Sequence, residues 1–209
     1  MDFILPKIYP ITDTRLSGLS HAAQVEKLIA GGATLIQLRE KQAQPRAFYE
    51  DAEQALALAR GHNVKIIIND RVDIALALKA DGVHLGQDDL PPEHARNILG
   101  PRAIIGFSTH TLRQVDEALK RPVDYIAFGP VYDTKTKTDP DKSVGLDSLK
   151  SVREVIADFP LVAIGGINSG NVSRVIQAGA GSAAVISDLY ISPEDIAGKM
   201  ALLLEIAGQ

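Results

Sequence analysis

Residues 65–87, with the sequence KIIINDRVDIALALKADGVHLGQ, decide the fold class of this chain. A continuously apolar run at residues 65–70 is followed by a helix-like stretch at 71–79 and by a second apolar run at 82–87. Apolar runs without alternation are typical of parallel strands that are covered by helices on both faces. The stretch therefore predicts one strand–helix–strand unit of a parallel sheet.

The same unit recurs along the whole chain. Eight strand-like runs are predicted, at residues 8–13, 34–40, 65–70, 82–87, 103–109, 125–130, 161–167 and 182–187. Amphipathic stretches separate or follow them, for example at residues 45–60, 112–120 and 193–206. Eight strand–helix units predict an α/β fold, a (β/α)8 TIM barrel that forms one domain over residues 1–209. An open doubly wound sheet is the alternative, although no glycine-rich dinucleotide fingerprint follows the first run.

The composition excludes several classes of function. The chain has no cysteine, so disulfides, thiol nucleophiles and cysteine-bound metals are excluded. Its net charge of -4 gives no general affinity for nucleic acid or for an anionic membrane, and its apolar runs are too short to span a bilayer. Residues 1–12 lack the pattern of a signal peptide, and we expect a cytoplasmic protein. The sequence does not decide between a monomer and a homo-oligomer.

The second predicted strand ends in charged and amide side chains. Gln37, Arg39 and Lys41 are spaced i, i+2, i+4, which places them on one face of a strand. The carboxyl ends of barrel strands carry the chemistry of this fold, and two cations with an amide suit an anionic substrate. The alternative is a solvated edge on which the cations pair with Glu40 and other carboxylates.

Two aspartates follow the next two strands. Asp70 ends the third run and Asp89 follows the fourth. Carboxylates in equivalent positions on neighbouring strands can share a hard cation such as Mg2+, whose remaining ligands are waters and phosphate oxygens. The alternative for each is a helix cap, because predicted helices begin shortly after both. Asp88, beside Asp89, is a candidate for a supporting role.

Three later segments complete the candidate site. The polar run at residues 133–143 has the length of a lid over a barrel mouth, or of a plain solvated loop. Gly166, after the seventh strand, and Ile186 and Ser187, after the eighth, suit a phosphate site built from backbone N–H groups, or simply a tight turn. Ser108 lies two residues before His110, but this spacing does not form a catalytic triad, and Ser108 is expected to hydrogen-bond a substrate.

Taken in order, these segments resemble the thiamine phosphate synthase family over nearly the whole chain. The resemblance is carried by YPITD (9–13), QLREK (37–41), INDRVD (68–73), ADGVHLGQDD (80–89), GFSTH (106–110), GPVY (129–132), TKTK (134–137) and AIGGI (163–167). Each motif is common alone, but eight in this order are specific.

The resemblance implies the joining of a hydroxymethylpyrimidine diphosphate to a thiazole phosphate, with release of diphosphate. It implies Asp70 and Asp89 as ligands of Mg2+, and Ser108, Arg39 and Lys137 as catalytic residues. The implied substrate-binding residues are Gln37, Arg39, Lys41, Asn69, Ser108, Thr134, Thr136, Lys137, Gly166, Ile186 and Ser187.

Three rival functions fit parts of the same pattern. A thiazole tautomerase would share the barrel and would use a histidine near position 110 for proton transfer. It would not need the basic strand or the lysine-rich loop. A non-catalytic binding barrel would have lost some of the cations, and none is missing from the sequence. A phosphosugar isomerase would leave Asp70 and Asp89 without a joint purpose.

Overall fold

The computed structural model describes residues 4–134 and 142–208, and the fold is given for these residues. Strands and helices alternate along them. The strands are β1 (Ile8–Pro10), β2 (Leu35–Leu38), β3 (Lys65–Asn69), β4 (Gly82–Leu85), β5 (Ile104–Thr109), β6 (Tyr125–Phe128), β7 (Leu161–Ala163) and β8 (Ser182–Val185). The α-helices are α1 (Thr14–Ser17), α2 (His21–Ala30), α3 (Pro45–Gly61), α4 (Val72–Leu78), α5 (Pro92–Leu99), α6 (Leu112–Ala118), α7 (Gly145–Ile156), α8 (Val172–Gln177) and α9 (Ile196–Gly208).

The strands form one parallel sheet that curls into a barrel. Strand β1 pairs with β8, and the order continues through β7 and the intervening strands to β2. The two remaining edges meet just beyond β1, where Ile11 bridges Gln37 in parallel and the Thr12 N–H donates to the Gln37 carbonyl over 2.9 Å. The predicted (β/α)8 barrel is therefore confirmed, and the open-sheet alternative is wrong.

Apolar side chains fill both faces of the sheet, which explains the unbroken apolar runs. In β3, Ile66 and Ile68 pack outward against the helices, whereas Ile67 points into the barrel. The barrel interior also holds two tyrosines, Tyr9 and Tyr125, which are buried among apolar neighbours. Both faces therefore need apolar residues, and alternation disappears from the sequence.

Seven of the eight strands end earlier than the sequence predicts, and β5 ends at Thr109 as predicted. The seventh run was expected at residues 161–167, but β7 ends at Ala163 because Gly165 and Gly166 turn the chain with φ angles of 101° and 64°. The last predicted helix, 193–206, begins as a 3-10 turn at Pro193–Asp195 and becomes α-helical as α9. In residues 4–134 and 142–208, no helix has the length and apolar character needed to cross a bilayer.

Candidate active site

A cavity of about 600 Å³ opens at the carboxyl ends of the strands. Eleven of the residues predicted for the site line it, contributed by strands around the whole barrel. They are Gln37, Arg39, Lys41, Asn69, Asp70, Asp89, Ser108, Thr134, Gly166, Ile186 and Ser187. Segments that are distant in sequence are therefore brought together at one mouth, as this fold requires.

The end of β2 supplies the basic wall of the cavity. Gln37, Arg39 and Lys41 line the cavity, while Leu38 packs outward in the layer between sheet and helices. Glu40 also turns away, and its carboxylate accepts a hydrogen bond of 3.0 Å from the Thr14 hydroxyl. The cations do pair with carboxylates, as the solvated-edge alternative expects, but with Asp13 and Asp70 and not with Glu40. What distinguishes this wall from a plain solvated edge is that all three predicted side chains line the cavity.

Arg39 is held in place from behind. Its Nη1 lies 3.3 Å from Oδ2 of Asp13, and its backbone N–H donates to Oγ1 of Thr12 over 3.2 Å. Asp13 is buried, and its Oδ1 accepts from the backbone N–H groups of Arg15 and Leu16, which caps helix α1. One carboxylate thus fixes a helix start and a guanidinium at the same time.

Asp70 occupies an unusual backbone conformation at the end of β3. Its φ is 60°, in the left-handed region, while its N–H donates to the carbonyl of His84 over 2.8 Å. The carboxylate forms an ion pair with Lys41 across the cavity mouth. Helix α4 has Arg71 at its N-cap with no capping side chain, so the helix-cap alternative for Asp70 is wrong.

Asp89 lies beside Asp70 and shares its environment. Oδ2 of Asp89 accepts from the Gly86 N–H over 2.6 Å, and helix α5 has no side-chain cap, so Asp89 does not cap that helix. Burial raises the pKa of the Asp89 carboxyl, and the Asp70 carboxylate adds to this through a hydrogen bond and like charge, against the lowering effects of the Gly86 amide and Lys41. Two carboxylates this close favour a shared cation.

The donor set of the two aspartates fits Mg2+. Carboxylate oxygens are hard ligands, and Mg2+ is commonly held by one or two of them together with water and substrate phosphate. Among the described residues, no group of three histidine, aspartate or glutamate side chains could hold a metal by itself. A metal held by Asp70 and Asp89 would therefore complete its coordination with oxygen atoms of water or of a bound substrate.

Asn69 presents an amide next to this pair. It is buried at the end of β3, and its Nδ2 has no hydrogen-bond partner among the described residues. An unsatisfied buried donor is costly, by about 1–3 kcal/mol. Because Asn69 lines the cavity, a bound anion would remove this cost.

The opposite wall is built from backbone. A Cβ at Gly166 would lie 2.6 Å from the Asp133 carbonyl oxygen, so only glycine fits there without displacement. The Gly166 carbonyl accepts from the side-chain amides of Asn168 and Asn171, over 3.3 and 3.0 Å, which fixes this peptide group. The turn is thus rigid and closely packed, whatever it binds.

The floor of the cavity contains a histidine that the sequence analysis did not assign to the site. His84 of β4 lines the cavity, and its Nε2 lies 2.8 Å from Oγ of Ser108. Burial lowers the pKa of His84 to about 4, so the imidazole is neutral near pH 7. Its Nδ1 lies 2.9 Å from the hydroxyl of Tyr125. The only signal in the sequence is an inward-facing polar residue in an apolar strand.

Comparison with known proteins decides the family. The family model described as thiamine monophosphate synthase matches residues 8–189. The thiamine-phosphate synthase of Clostridium novyi is 46% identical over 201 residues, which cover 96% of this chain and 98% of the relative. That of Koribacter versatilis is 44% identical over 207 residues, with 96% of each chain covered. The chain belongs to the thiamine monophosphate synthase family.

A solved structure supports the same assignment. The thiamine phosphate pyrophosphorylase from Pyrococcus furiosus superposes with a TM-score of 0.87 at 38% identity, and the match covers 97% of this chain and 95% of that one. The family resemblance also implies Thr136 and Lys137 as site residues of this chain. Both lie outside the residues that the structure describes.

Proposed function

We propose that the chain is a thiamine-phosphate synthase, with residues 1–209 acting as one domain. It would join 4-amino-2-methyl-5-hydroxymethylpyrimidine diphosphate to 4-methyl-5-(2-phosphoethyl)thiazole or its carboxylated form. The observation that carries the proposal is the division of one cavity into two unlike walls. Cations and carboxylates line the β2–β4 side, and closely packed backbone lines the β7–β8 side. Two anionic substrates fit this division better than one.

The diphosphate would bind on the basic wall. Arg39 and Lys41 supply positive charge, and the unsatisfied amide of Asn69 supplies a donor. By resemblance, Lys137 would approach the same group from the loop. Asp70 and Asp89 would hold Mg2+, which supplies further neutralisation of the leaving diphosphate. Lys41 now pairs with Asp70, and on binding it would exchange this partner for a phosphate oxygen.

The chemistry would require little from the protein except electrostatics and order. The bond between the pyrimidine methylene carbon and the diphosphate oxygen breaks, and its electron pair leaves with the diphosphate. The thiazole ring nitrogen then gives its lone pair to the carbocation, and the carboxylated form would in addition lose its carboxyl group as CO2. Arg39 and Lys137 would stabilise the departing charge, and Ser108 would contact the pyrimidine near the reacting centre. No protein nucleophile is needed, in agreement with a chain that has no cysteine.

The remaining predicted residues would position the two rings. Gln37, buried at the end of β2, would orient the pyrimidine. The thiazole phosphate would bind between the β7 and β8 loops, where Gly166, Ile186 and Ser187 meet. Thr134, which also lines the cavity, and Thr136 would complete that phosphate site by resemblance. The cytoplasmic location stays a prediction.

The decisive assay measures diphosphate release from the two substrates with Mg2+. We expect release only when both substrates and the metal are present. Asp70→Asn and Asp89→Asn should each reduce the rate by on the order of a hundredfold. Asp73→Asn is the matched control, because Asp73 is an exposed aspartate that pairs with Arg71 outside the cavity.

The same assay separates the closest rival. His110 lines the cavity, with Nδ1 lying 2.6 Å from the Gly129 carbonyl oxygen, so a tautomerase remains chemically reasonable. Isomerisation of a thiazole phosphate without any diphosphate release, with either Mg2+ or Mn2+, would overturn the synthase proposal. Normal rates in both aspartate variants would overturn the metal assignment alone.

A further inference from the structure

A chain of hydrogen bonds crosses the barrel beneath the cavity. Nε2 of Gln37 donates to the Tyr9 hydroxyl over 3.1 Å, and this hydroxyl lies 3.0 Å from that of Tyr125. The Tyr125 hydroxyl lies 2.9 Å from Nδ1 of His84, whose Nε2 lies 2.8 Å from Oγ of Ser108. The two ends, Gln37 and Ser108, line the cavity on different strands. The three middle members are therefore placed to connect two groups that face a substrate.

The packing of the barrel is arranged around this chain. Gly106 of β5 lies between His84 and Tyr125 in the strand register. A Cβ at Gly106 would lie 2.0 Å from Cζ of Tyr125 and 2.5 Å from Nδ1 of His84. Only glycine leaves room there for the hydrogen bond between the Tyr125 hydroxyl and the His84 imidazole. The imidazole also stacks on the phenol ring, with the centroids 5.5 Å apart.

We propose that Tyr9, Tyr125 and His84 are positioning residues that fix which group of the cavity donates and which accepts a hydrogen bond. The proposal rests on the proposed function and deepens it. Tyr9 accepts from the Gln37 amide and gives its single phenolic proton to Tyr125, which gives its own to Nδ1 of His84. The imidazole then carries its proton on Nε2 and donates to Ser108.

The order of protons determines what a substrate meets. Gln37 presents its Oε1 as an acceptor, because its Nε2 is engaged below the cavity. Ser108 presents its hydroxyl proton as a donor, because its oxygen accepts from His84. A ring with an exocyclic amino group on one side and an acceptor ring nitrogen on another matches both ends. An aminopyrimidine is such a ring, whereas a ring bearing an oxo group in place of the amino group opposes Gln37.

The surroundings of the chain suit this order of protons. The His84 imidazole lies between two hydroxyls, 2.9 Å from that of Tyr125 at Nδ1 and 2.8 Å from that of Ser108 at Nε2, so one ring nitrogen can accept while the other donates. Burial raises the pKa of Tyr9 and of Tyr125, so both phenols keep their protons. Each phenol thus has one proton to give and can accept another hydrogen bond at its oxygen.

The first test breaks the chain at a single hydroxyl. Tyr125→Phe and Tyr9→Phe each keep the ring and remove one link. We expect the KM for the pyrimidine diphosphate to rise about tenfold, near the upper end for one net hydrogen bond, with the KM for the thiazole phosphate unchanged. The preference for the amino substrate over its oxo analogue should fall by a similar factor. Tyr190→Phe is the matched control. The buried hydroxyl of Tyr190 donates to the Ile11 carbonyl and takes no part in the chain of hydrogen bonds from Gln37 to Ser108.

The outcomes separate positioning from simple packing. The tyrosine variants could lose thermal stability but keep both the KM for the pyrimidine diphosphate and the substrate preference within about twofold. In that case the chain of hydrogen bonds only stabilises the fold, and the proposal is overturned. The same conclusion follows if Tyr190→Phe changes these two quantities equally.

The second test uses the unaltered protein and needs no variant to fold. Nitrogen chemical shifts of the His84 imidazole, measured by NMR on 15N-labelled protein, report which ring nitrogen carries the proton. We expect the proton on Nε2. A proton on Nδ1 would reverse the chain and overturn the proposal. This measurement is independent of turnover, so a protein that released no diphosphate would contradict the proposed function without changing the tautomer result.

Discussion

Substitution of Asp70 separates its backbone role from its role as a metal ligand. The φ of 60° places this residue in the left-handed region, which asparagine and glycine adopt readily and alanine does not. Alanine loses about 1–2 kcal/mol in that conformation. Loss of the ion pair with Lys41 affects all substitutions equally and cancels from a comparison among them. We therefore compare Asp70→Asn, Asp70→Gly and Asp70→Ala with one another.

The expected order follows from these terms. Glycine adopts this conformation without the left-handed penalty. Roughly 0.4–1 kcal/mol of the stability gained in this way is offset, because glycine gives the unfolded chain greater freedom. Asp70→Asn and Asp70→Gly should thus be more stable than Asp70→Ala by about 1 kcal/mol. For a chain of this size that difference corresponds to about 2–4 °C in Tm. Thermal unfolding followed by circular dichroism measures it directly.

The metal role is measured in the same experiment by adding ligands. Mg2+ and inorganic diphosphate, added together at about 100 times their apparent Kd, should stabilise the original protein by about 2.7 kcal/mol. All three variants should lose this increase, since each lacks the Asp70 carboxylate. If Asp70→Asn keeps it, Asp70 does not hold the metal. If Asp70→Ala is as stable as Asp70→Gly without ligands, the backbone argument is wrong.

Asp73 provides the matched control for both parts. It lies in the first turn of α4, where the backbone is helical and the side chain is exposed. Alanine is favoured over glycine in a helix by about 1 kcal/mol, so the order of the two variants should reverse at this position. The response to Mg2+ and diphosphate should remain complete.

Three further predictions test other parts of the site. The His84 pKa of about 4 lies below its ordinary 6.5 because burial disfavours the charged form, so the unfolded chain binds more protons between these values. The free energy of unfolding should rise by about 3 kcal/mol from pH 4 to pH 7, and His84→Gln should lack this part of the slope in urea titrations; an identical slope would contradict the assignment. Gly166→Val forces a Cβ to within 2.6 Å of the Asp133 carbonyl oxygen. It should raise the KM for thiazole phosphate about tenfold more than the KM for pyrimidine diphosphate. Equal effects on the two KM values would mean that no phosphate binds at Gly166. Asp13→Asn keeps an oxygen that can cap α1 but removes the negative charge 3.3 Å from Nη1 of Arg39. The KM for pyrimidine diphosphate should therefore rise about threefold to tenfold. An unchanged KM would show that Arg39 does not need the ion pair with Asp13 to bind the substrate.

Local patterns were enough to predict the fold and one wall of the site. The eight apolar runs correspond to the eight strands because both faces of a barrel strand are buried. The i, i+2, i+4 spacing of Gln37, Arg39 and Lys41 was informative because all three side chains line the cavity, although only Gln37 lies within β2 itself. These features depend only on neighbours in sequence.

Features that depend on juxtaposition across the barrel could not be predicted in the same way. Tyr9 and Tyr125 lie 116 residues apart and meet through their hydroxyls inside the barrel, where apolar side chains surround them. In the sequence each is one more aromatic residue in an apolar run. The left-handed conformation of Asp70 is also invisible, because aspartate occurs in many backbone conformations. Helix capping was a reasonable alternative until the structure showed that no side chain caps the start of α4.

The placement of opposite charges on adjacent strands explains why metal and diphosphate should bind together. Diphosphate alone would meet the cations Arg39 and Lys41 but also the carboxylates of Asp70 and Asp89. Mg2+ alone would meet the carboxylates while Lys41 already pairs with Asp70. When both arrive, each incoming charge has an opposite partner, and Lys41 is released to the phosphate. Mutual neutralisation of this kind predicts that the stabilisation by the two ligands together exceeds the sum of their separate effects. A purely additive response would mean that the two charged groups bind at independent places in the cavity.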